Sequence, residues 1–412
     1  MEKRKNPAVR FKGFEDDWEQ RKFSELVQIE RGGSPRPIDD FITNAPNGLN
    51  WVKIGDAPAQ GNYITKTAEK IRPEGLSKTR EVHPGDLILS NSMSFGKPYI
   101  MGIDGCIHDG WLLIRNTHGV FDLTFLCHLL GTPQMLSQYK SLAAGSTVNN
   151  LNKELVGNTV VTIPSIAEQR VLGDYLEQLD NLITLHQRKL EKMQLVKKSM
   201  LEKMFPKNDL KIPEIRFEGF TDDWEQRKLD DLAEFSKGSG YSKGDLIESG
   251  TPIILYGRLY TNYETIISDV DTFVEAKDGS VYSKGREVIV PASGETAEDI
   301  ARAASVDKSG ILLGGDLNIV MPNEDINSAF LAISISNGSS QRELARKAQG
   351  KSVVHIHNEE IRNLVVPFPT KTEQNKIENY FADLDHLITL HQRKLAKMKS
   401  IKKSLLEKLF VQ

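Results

Sequence analysis

The sequence predicts an α+β protein with two globular mixed α/β domains, each followed by a long helix, the two helices packed as an antiparallel coiled coil. One observation behind this is that residues 10–22, RFKGFEDDWEQRK, return as residues 216–228, RFEGFTDDWEQRK. A second is that residues 182–190, LITLHQRKL, return unchanged as residues 387–395. A third is that the stretches between these anchors scarcely match. The fold is therefore predicted to carry an internal pseudo-two-fold repeat that keeps its frame and varies its inserts.

Length and composition agree with a two-domain globular chain. The 412 residues, 26% of them charged, leave room for two or more domains of ordinary size. No apolar run approaches the roughly 20 residues that span a membrane, and no apolar signal core follows the N-terminus. We therefore expect a cytoplasmic protein without a membrane partner. Cys106 and Cys127 lack metal-type spacing and are predicted to be buried free thiols.

The net charge of −3 counts against nucleic-acid binding when the chain is taken as a whole. Summed charge governs solubility and association, whereas a local basic patch decides whether phosphates are contacted. Basic patches occur in both halves of the sequence.

The two variable stretches, about residues 23–145 and 229–350, are predicted to fold as short strands separated by glycine-rich turns. The apolar runs that predict these strands are residues 87–89, 112–114, 252–255 and 287–290. Helices are predicted near residues 121–130 and 327–335. The resulting boundaries are a first domain at 1–164, a central helix and linker at 165–209, a second domain at 210–369 and a C-terminal helix at 370–412.

The two long helices are predicted from apolar residues whose spacing alternates between four and three, which is typical of a coiled-coil seam. Each helix follows a proline, Pro164 or Pro369, and a Ser or Thr suited to a helix start. His186 and Lys197 fill gaps in the first seam, as His391 and Lys402 do in the second, and the histidines are interpreted as register-setting polar pairs rather than ligands. The seam residues are Leu172, Leu176, Leu179, Ile183, His186, Leu190, Ile377, Phe381, Leu384, Ile388, His391 and Leu395.

Catalytic motifs are mostly absent from the sequence. Gly238–Gly244 lacks the spacing of a phosphate-binding loop, and neither a dinucleotide fingerprint nor an amino-methyltransferase box occurs. His355 and His357 have no nearby third metal ligand, which makes a polar strand edge the better interpretation. Glu275 and Lys277, with two aspartates upstream, only faintly resemble a nuclease site. We therefore predict no catalytic residue, no metal site and no cofactor in this chain.

The arrangement of these motifs resembles the DNA-specificity subunit of type I restriction-modification enzymes. The residues that carry the resemblance are the proline-led pairs Glu168-Gln169 and Glu373-Gln374, the segments 145–151 and 350–356 that precede each helix, and the tryptophans Trp18 and Trp224 that open each half. The resemblance covers essentially the whole chain and is weakest in the variable stretches.

The resemblance implies that each domain is a target recognition domain for one half of a bipartite site in double-stranded DNA. It also implies two modification subunits, which methylate adenine with S-adenosylmethionine, and two restriction subunits, which are ATP-dependent translocases and nucleases. S-adenosylmethionine, ATP and Mg²⁺ are accordingly expected in the partner subunits. Two readers on one duplex need a fixed separation, which a stiff helix pair supplies better than a loop.

The candidate DNA-binding residues are polar or basic and lie in loops or before the long helices. Arg can bind guanine through two hydrogen bonds, Asn can bind adenine, and Ser can bind phosphate. In the first half the candidates are Arg31, Ser34, Arg36, Ser90, Asn91, Ser92, Lys97, Ser146, Thr147 and Asn149; in the second half they are Lys237, Tyr256, Arg258, Ser293, Lys351 and Ser352.

Each long helix also carries a basic face, interpreted either as solvated lysines or as a surface for spacer phosphates or partner subunits. Its residues are Arg188, Lys189, Lys192, Lys197, Lys198, Lys203, Arg393, Lys394, Lys397, Lys399, Lys402, Lys403 and Lys408. Two other functions stay open at this point. The chain could be a duplicated coiled-coil scaffold without DNA readout, or a fused nuclease or methyltransferase, which the missing cofactor motifs disfavour.

Overall fold

A computed structural model describes residues 5–91, 95–143, 150–207, 210–350 and 353–411. The chain forms two compact units, Met1–Lys189 with His391–Gln412 (unit 1) and Leu190–Leu390 (unit 2). Both boundaries fall inside the long helices, whereas the sequence analysis treated each helix as a segment of its own.

Unit 1 contains short strands, three short helices, residues 166–189 of one long helix and residues 391–408 of the other. Its strands are β1 (Glu19–Lys22), β2 (Gln28–Arg31), β3 (Ile42–Thr43), β4 (Leu49–Val52), β5 (Tyr63–Ile64), β6 (Glu69–Ile71), β7 (Arg80–Val82), β8 (Leu87–Ser90), β9 (Pro98–Met101), β10 (Gly105–Ile107), β11 (Trp111–Arg115) and β12 (Val160–Ile163). Its helices are α1 (Leu123–Leu130), α2 (Pro133–Ala143), α3 (Lys153–Gly157) and the long α4 (Ile166–Lys203), which continues into unit 2.

Unit 2 repeats this pattern and adds a few short elements. Its strands are β13 (Glu225–Lys228), β14 (Ala233–Lys237), β15 (Leu246–Ile247), β16 (Thr251–Ile254), β17 (Ile266–Ile267), β18 (Phe273–Val274), β19 (Tyr282–Lys284), β20 (Val288–Pro291), β21 (Ser293–Gly294), β22 (Ala304–Val306), β23 (Ser309–Leu313), β24 (Leu317–Pro322), β25 (Val354–His355) and β26 (Val365–Phe368). Its helices are α5 (Arg258–Thr261), α6 (Ala297–Ile300), α7 (Ser328–Ile335), α8 (Gly338–Lys347), α9 (Asn358–Arg362) and the long α10 (Lys371–Lys408), which continues into unit 1.

The two units share one sheet topology although their sequences differ. Unit 1 has five-stranded sheets in the orders β2-β11-β8-β9-β5 and β3-β6-β4-β10-β7. Unit 2 has β14-β24-β20-β22-β17 and β15-β18-β16-β23-β19, which is the same order strand for strand. A separate antiparallel pair, β1 with β12 or β13 with β26, completes each frame. The repeat is therefore present in the backbone of the variable stretches as well as in the anchors.

The central strands β8 and β20 are almost wholly apolar because each lies between two buried layers. In β8, Leu87 and Leu89 pack into the core beneath the helices, whereas Ile88 packs into the core between the two sheets. Successive side chains of a strand point to opposite faces, so a strand covered on both faces has no polar alternation. In β20, Val288 and Val290 likewise lie in one core and Ile289 in the other.

The predicted short helices exist, with one boundary corrected. The helix predicted near residue 121 begins at Leu123, because the Asp122 carboxylate accepts a hydrogen bond from the Phe125 N–H and thereby caps it. In unit 2, Asn327 caps α7 in the same way through the Phe330 N–H. The two caps stand at equivalent places in the repeat.

Each long helix ends in a hydrophobic core. In unit 1, Phe410 packs against Trp18 and Phe125, with ring centroids 6.5 and 5.5 Å apart. In unit 2, Phe205 packs against Trp224 and Phe330 at 5.9 and 5.7 Å. The repeated tryptophans are therefore core residues that receive the aromatic side chain at the end of a long helix.

The long helices run antiparallel, as the coiled-coil prediction requires. In unit 1, Asp180 pairs with Lys402 at 2.5 Å, and His186 lies farther along α4 opposite His391, with their Nδ1 atoms 3.0 Å apart. In unit 2, Lys197 pairs with Asp385 at 2.5 Å. The seam residues Leu172, Leu176, Ile183, Leu190, Ile377, Phe381, Ile388, His391 and Leu395 are buried, and Leu179, His186 and Leu384 are half-buried.

Candidate nucleic-acid interface

In each unit, the loop that follows β2 or β14 crosses the end of a neighbouring strand, and a glycine lies at the crossing point. A Cβ atom on Gly32 would lie 2.2 Å from the His108 carbonyl oxygen, and one on Gly238 would lie 1.9 Å from that of Gly314. Any side chain at these positions would therefore push the two backbone segments apart. Both glycine N–H groups donate to the next strand, to Trp111 and Leu317 respectively. This crossing brings the loops 31–36 and 237–243 over the turns 108–110 and 314–316.

In unit 1, Asp109 is the residue at which several predicted site residues converge. Its carboxylate accepts a hydrogen bond from the Ser34 hydroxyl at 3.1 Å and lies 3.8 Å from the Arg36 guanidinium. The Nε2 atom of His108 lies 2.9 Å from the same carboxylate. Sequence reasoning missed Asp109, because a single aspartate between two strands carries no motif.

The backbone of the same turn is fixed by a buried asparagine. The side-chain nitrogen of Asn91 donates to the Asp109 carbonyl at 2.8 Å, and the Asn91 carbonyl accepts from the Leu151 N–H at 3.0 Å. Asn91 thus ties three chain segments together from beneath the surface. Ser90, also buried, exchanges hydrogen bonds with the backbone of Lys97. Neither side chain is exposed to a DNA base, which differs from the direct contacts that the sequence suggested.

The basic candidates of unit 1 are more accessible. The Arg36 side chain is 83% exposed, and Arg31 is exposed at the end of β2. The Lys97 ammonium lies over the Tyr99 ring, 4.8 Å from its centroid. A cleft of about 540 Å³ lies beside Arg36 and is lined by Ser34, Trp51 and His108 among others. Ser92, Ser146, Thr147 and Asn149 lie outside the described residues.

Unit 2 has a larger cleft at the equivalent place, with different side chains. It measures about 1210 Å³ and is lined by residues that include Tyr241, Lys243, Tyr256, Arg258 and Asp316. Tyr256 is exposed, as the prediction of a contact residue requires. Lys237 is exposed at the end of β14, outside the set of residues that line this cleft.

Arg258, predicted to contact DNA, is paired with two carboxylates in this structure. Its side chain is only 11% exposed, and its guanidinium pairs with Glu264 at 2.8 Å and Asp271 at 3.0 Å. Of the two aspartates upstream of Glu275 and Lys277, Asp271 thus pairs with Arg258, and Asp269 pairs with Lys308. Because Lys277 pairs with Asp245, these groups are engaged with different partners rather than assembled into a nuclease-like cluster.

Ser293 lies beside the chain segment that leads into α10. Its hydroxyl contacts the His355 Nδ1 atom at 3.1 Å, and its backbone pairs with the same residue in the short β21–β25 sheet. The His355 and His357 rings lie parallel with centroids 6.5 Å apart. Among the described residues, no group of three or more potential ligands could hold a metal ion. Lys351 and Ser352, the candidates nearest in sequence, lie outside the described residues.

The repeated Glu-Gln pair joins each long helix to its domain. Glu168 binds the guanidinium of Arg10 through two hydrogen bonds of 2.8 Å, and Glu373 binds Arg216 through two of 2.7 Å. Both carboxylates are buried. These pairs explain why the sequence repeats an Arg-Phe at the start of each half and a Glu at the start of each helix.

The adjacent glutamines hold the loop before α1 or α7. The side chain of Gln169 accepts from the Asp122 N–H at 3.0 Å and donates to the Val120 and Pro164 carbonyls. Gln374 accepts from the Asn327 N–H at 2.8 Å and donates to the Pro369 and Asp325 carbonyls. The Glu-Gln motif is therefore a structural clamp in both units.

The basic face of the long helices is smaller than the sequence suggested. Lys197 and Lys402 are half-buried and pair with Asp385 and Asp180, so they belong to the seam. Lys203 pairs with Glu214 at 2.9 Å. The remaining members that are exposed on α4 and α10 are Arg188, Lys189, Lys192, Lys198, Arg393, Lys394, Lys397, Lys399, Lys403 and Lys408.

A family model described as the type I restriction modification DNA specificity domain matches residues 15–195 and again residues 221–400. Two matches that together cover most of the sequence define the class: the chain belongs to the family of type I restriction-modification specificity proteins. Members of this family recognise DNA and leave catalysis to other subunits. In the described part of the chain, no helix is both long and apolar enough to span a membrane.

Individual relatives resemble the chain over nearly its full length. The type I restriction enzyme MjaVIII specificity subunit of Methanocaldococcus jannaschii is 20% identical, with 95% of this chain and 91% of the relative covered. The EcoBI specificity subunit of Escherichia coli is 21% identical over 96% of this chain and 86% of its own length. The crystal structure of the S subunit from M. genitalium superposes with a TM-score of 0.65 at 14% identity, covering 98% of this chain and 99% of that one. At this identity the structural likeness establishes the fold.

Proposed function

We propose that each unit reads one half of a bipartite site in double-stranded DNA and that the chain thereby directs the activity of partner subunits. The observation that carries this proposal is the identical strand order of the two units combined with different side chains in the equivalent clefts. Two domains that share one backbone frame but present different surface side chains are suited to recognising two different half-sequences. The bases that a protein distinguishes are set by such side chains, whereas the backbone frame fixes only where they stand.

The long helices are proposed to act as the spacer between the readers. Each is continuous over 38 residues, a length of about 57 Å at 1.5 Å per residue. Two domains that read DNA from one face of a duplex must be separated by a distance related to the helical turn of the DNA. The unread part of the DNA site would then have a length that the helices determine.

The proposed partners are two modification subunits, which methylate adenine with S-adenosylmethionine, and two restriction subunits, which use ATP and Mg²⁺. The printed titles of the relatives support this only in outline: they name specificity subunits of type I enzymes and, for one structure, the assembly of the type I system. The subunit numbers and the bipartite site are part of the proposal. A cytoplasmic location follows from the same assignment, since the partners act on cellular DNA.

A scaffold without DNA readout has less support. The coiled-coil seam of such a scaffold would have to be available to other proteins. Here the seam residues are covered within this chain: His186 meets His391, and both Lys–Asp pairs join the two helices. The family assignment also identifies the variable stretches as DNA specificity domains.

The proposal is tested by sequencing methylated bases in a methylation-null host that expresses this chain with a compatible modification subunit. We expect one bipartite motif with a methylated adenine in each half. Exchanging residues 23–145 for the insert of a different specificity subunit should change one half of that motif and leave the other half intact. A stable complex that yields no motif would contradict the proposal.

A further inference from the structure

Asp316 has a left-handed backbone conformation, which Asp and Asn adopt more often than most other non-glycine residues do. It is the one non-glycine residue in the described ranges with a positive φ, 58°. L-residues rarely adopt this left-handed region, and glycine adopts it without steric cost. Gly314 and Gly315 precede it. A glycine at position 316 would adopt this conformation without steric cost, so the backbone does not require a carboxylate here.

The Asp316 side chain also contributes nothing visible to the fold. Asp316 is exposed. Within the described ranges, its carboxylate makes no hydrogen bond or ion pair. The structural contact at this position comes from the backbone, because the Asp316 carbonyl accepts the Ala292 N–H at 2.7 Å. Any residue could supply that carbonyl. The carboxylate is thus held at a fixed place with unsatisfied acceptor capacity.

Comparison with unit 1 shows what is special about this carboxylate. The turn 108–110 makes the same backbone contact, with the Asn91 N–H donating to the Gly110 carbonyl at 3.0 Å. Its aspartate is at position 109, and that carboxylate is already engaged by Ser34 and His108. Asp109 therefore organises its neighbours, whereas Asp316 offers its oxygens to the cleft.

A free carboxylate in a DNA-binding cleft needs a specific reason. It repels the phosphate backbone and weakens sequence-independent binding. It becomes favourable where it accepts a hydrogen bond from the exocyclic amine of a base, and Asp or Glu accepts from cytosine N4, whereas adenine is usually bound by Asn or Gln. The cleft of unit 2 places Tyr256 and Lys243 among the residues that line the same space, and these can contact the sugar-phosphate chain beside such a base.

We propose that Asp316 is a specificity-determining residue that accepts a hydrogen bond from a cytosine amine in the half-site read by unit 2. This inference rests on the proposed function, since it assumes that unit 2 reads DNA. It goes further by assigning a base to a residue, and it predicts opposite effects on specific and non-specific binding.

The test compares Asp316→Gly, Asp316→Asn and the parent chain, each assembled with the modification subunit. Asp278→Asn is the matched control, because it removes an equal charge from an exposed turn of unit 2 that does not line the cleft. Motifs are read by methylated-base sequencing, and methylation rates are measured on duplexes with each base at the varied position. Binding to a non-cognate duplex and thermal unfolding are measured on the same samples.

For Asp316→Gly we expect preference for cytosine at one position of one half-site to fall by roughly 5- to 150-fold, with the other half-site unchanged. Non-cognate DNA should bind more tightly, and the unfolding midpoint should not fall. Asp316→Asn should shift the preference towards adenine, and Asp278→Asn should leave the motif intact. The inference would be overturned if Asp316→Gly left the motif unchanged, or if it removed the base preference in both halves. In either case, a bipartite motif from the parent chain would still support the proposed function. If the parent chain yields no bipartite motif, the proposed function itself fails.

Discussion

Replacing Glu168 with Gln should destabilise unit 1 through the clamp that joins α4 to the start of the chain. The Glu168 side chain is 1% exposed, and that of Arg10 is 16% exposed. Both carboxylate oxygens accept from the Arg10 guanidinium at 2.8 Å. Glutamine keeps the shape of the side chain but can accept through one oxygen only and carries no charge. The guanidinium would then remain largely buried without its counter-charge.

The expected loss is about 3 kcal/mol in the free energy of unfolding. Removing one partner of a buried ion pair typically costs about 3–5 kcal/mol. We place the loss at the lower end because Arg10 is partly exposed and keeps its hydrogen bond to the Asp16 carbonyl at 2.6 Å. Since domains are stable by only about 5–15 kcal/mol, this loss should be plain in an equilibrium experiment.

The assay is urea unfolding followed by tryptophan fluorescence. Unit 2 contains only Trp224, whereas the other three tryptophans of the sequence lie in unit 1. A Trp224→Phe background therefore reports unit 1 alone. Glu373→Gln is the matched variant for unit 2, and in this background it should leave the unit 1 transition in place. A Glu168→Gln loss below about 1 kcal/mol would refute the reasoning, because such a value is typical of exposed pairs.

Three further predictions concern pH, core packing and DNA binding. Burial, and to a smaller extent the charge of Lys402, lower the pKa of His128 to about 4. Below about pH 6.5 the unfolded chain therefore binds a proton that the folded chain does not, so the free energy of unfolding of unit 1 should fall by about 2 kcal/mol between pH 7 and pH 5. In urea titrations at the two pH values, His128→Gln should abolish that loss. Phe410→Ala should lower the free energy of unfolding of unit 1 by about 3–5 kcal/mol, although Phe410 lies at the far end of the chain, whereas Phe205→Ala should destabilise unit 2. Calorimetry in which Phe410→Ala shifts only the unit 2 transition would contradict the packing described above. Lys351→Ala should weaken DNA binding by the assembled methyltransferase and flatten its salt dependence by about one unit of slope, and an unchanged slope would mean that Lys351 contacts no phosphate.

Much of the frame could be predicted from the sequence because local patterns determine it. The heptad spacing located both long helices, and the apolar runs at residues 87–89 and 287–290 located central strands. The repeated Glu-Gln pairs marked helix starts correctly, but their role as clamps to Arg10 and Arg216 depends on contacts across more than 150 residues of sequence. No local pattern reveals a partner at that distance.

The candidate interface was harder to predict for the same physical reason. Asp109 gains its role because Ser34, Asn91 and Arg36, all distant from it in sequence, converge on one turn. Arg258, predicted to contact DNA, is paired with two acidic neighbours that no local sequence pattern reveals. Exposure and pairing, which decide whether a polar side chain can reach DNA, are properties of the folded chain rather than of residue type.

The two turns at the clefts show how one frame can carry two specificities. His108-Asp109-Gly110 and Gly314-Gly315-Asp316 occupy equivalent places between a pair of strands, and each accepts one backbone hydrogen bond from the segment after β8 or β20. The frame uses backbone groups of these turns: that carbonyl, the N–H of His108 or Gly314, which donates to Val52 or Ile254, and the glycine crossing at Gly32 or Gly238. Side chains on the turn can therefore change without disturbing the sheets, the clamps or the helix seam. The two turns differ in sequence between the units, whereas the clamps are nearly identical. Separate constraints on recognition and on folding would produce this pattern.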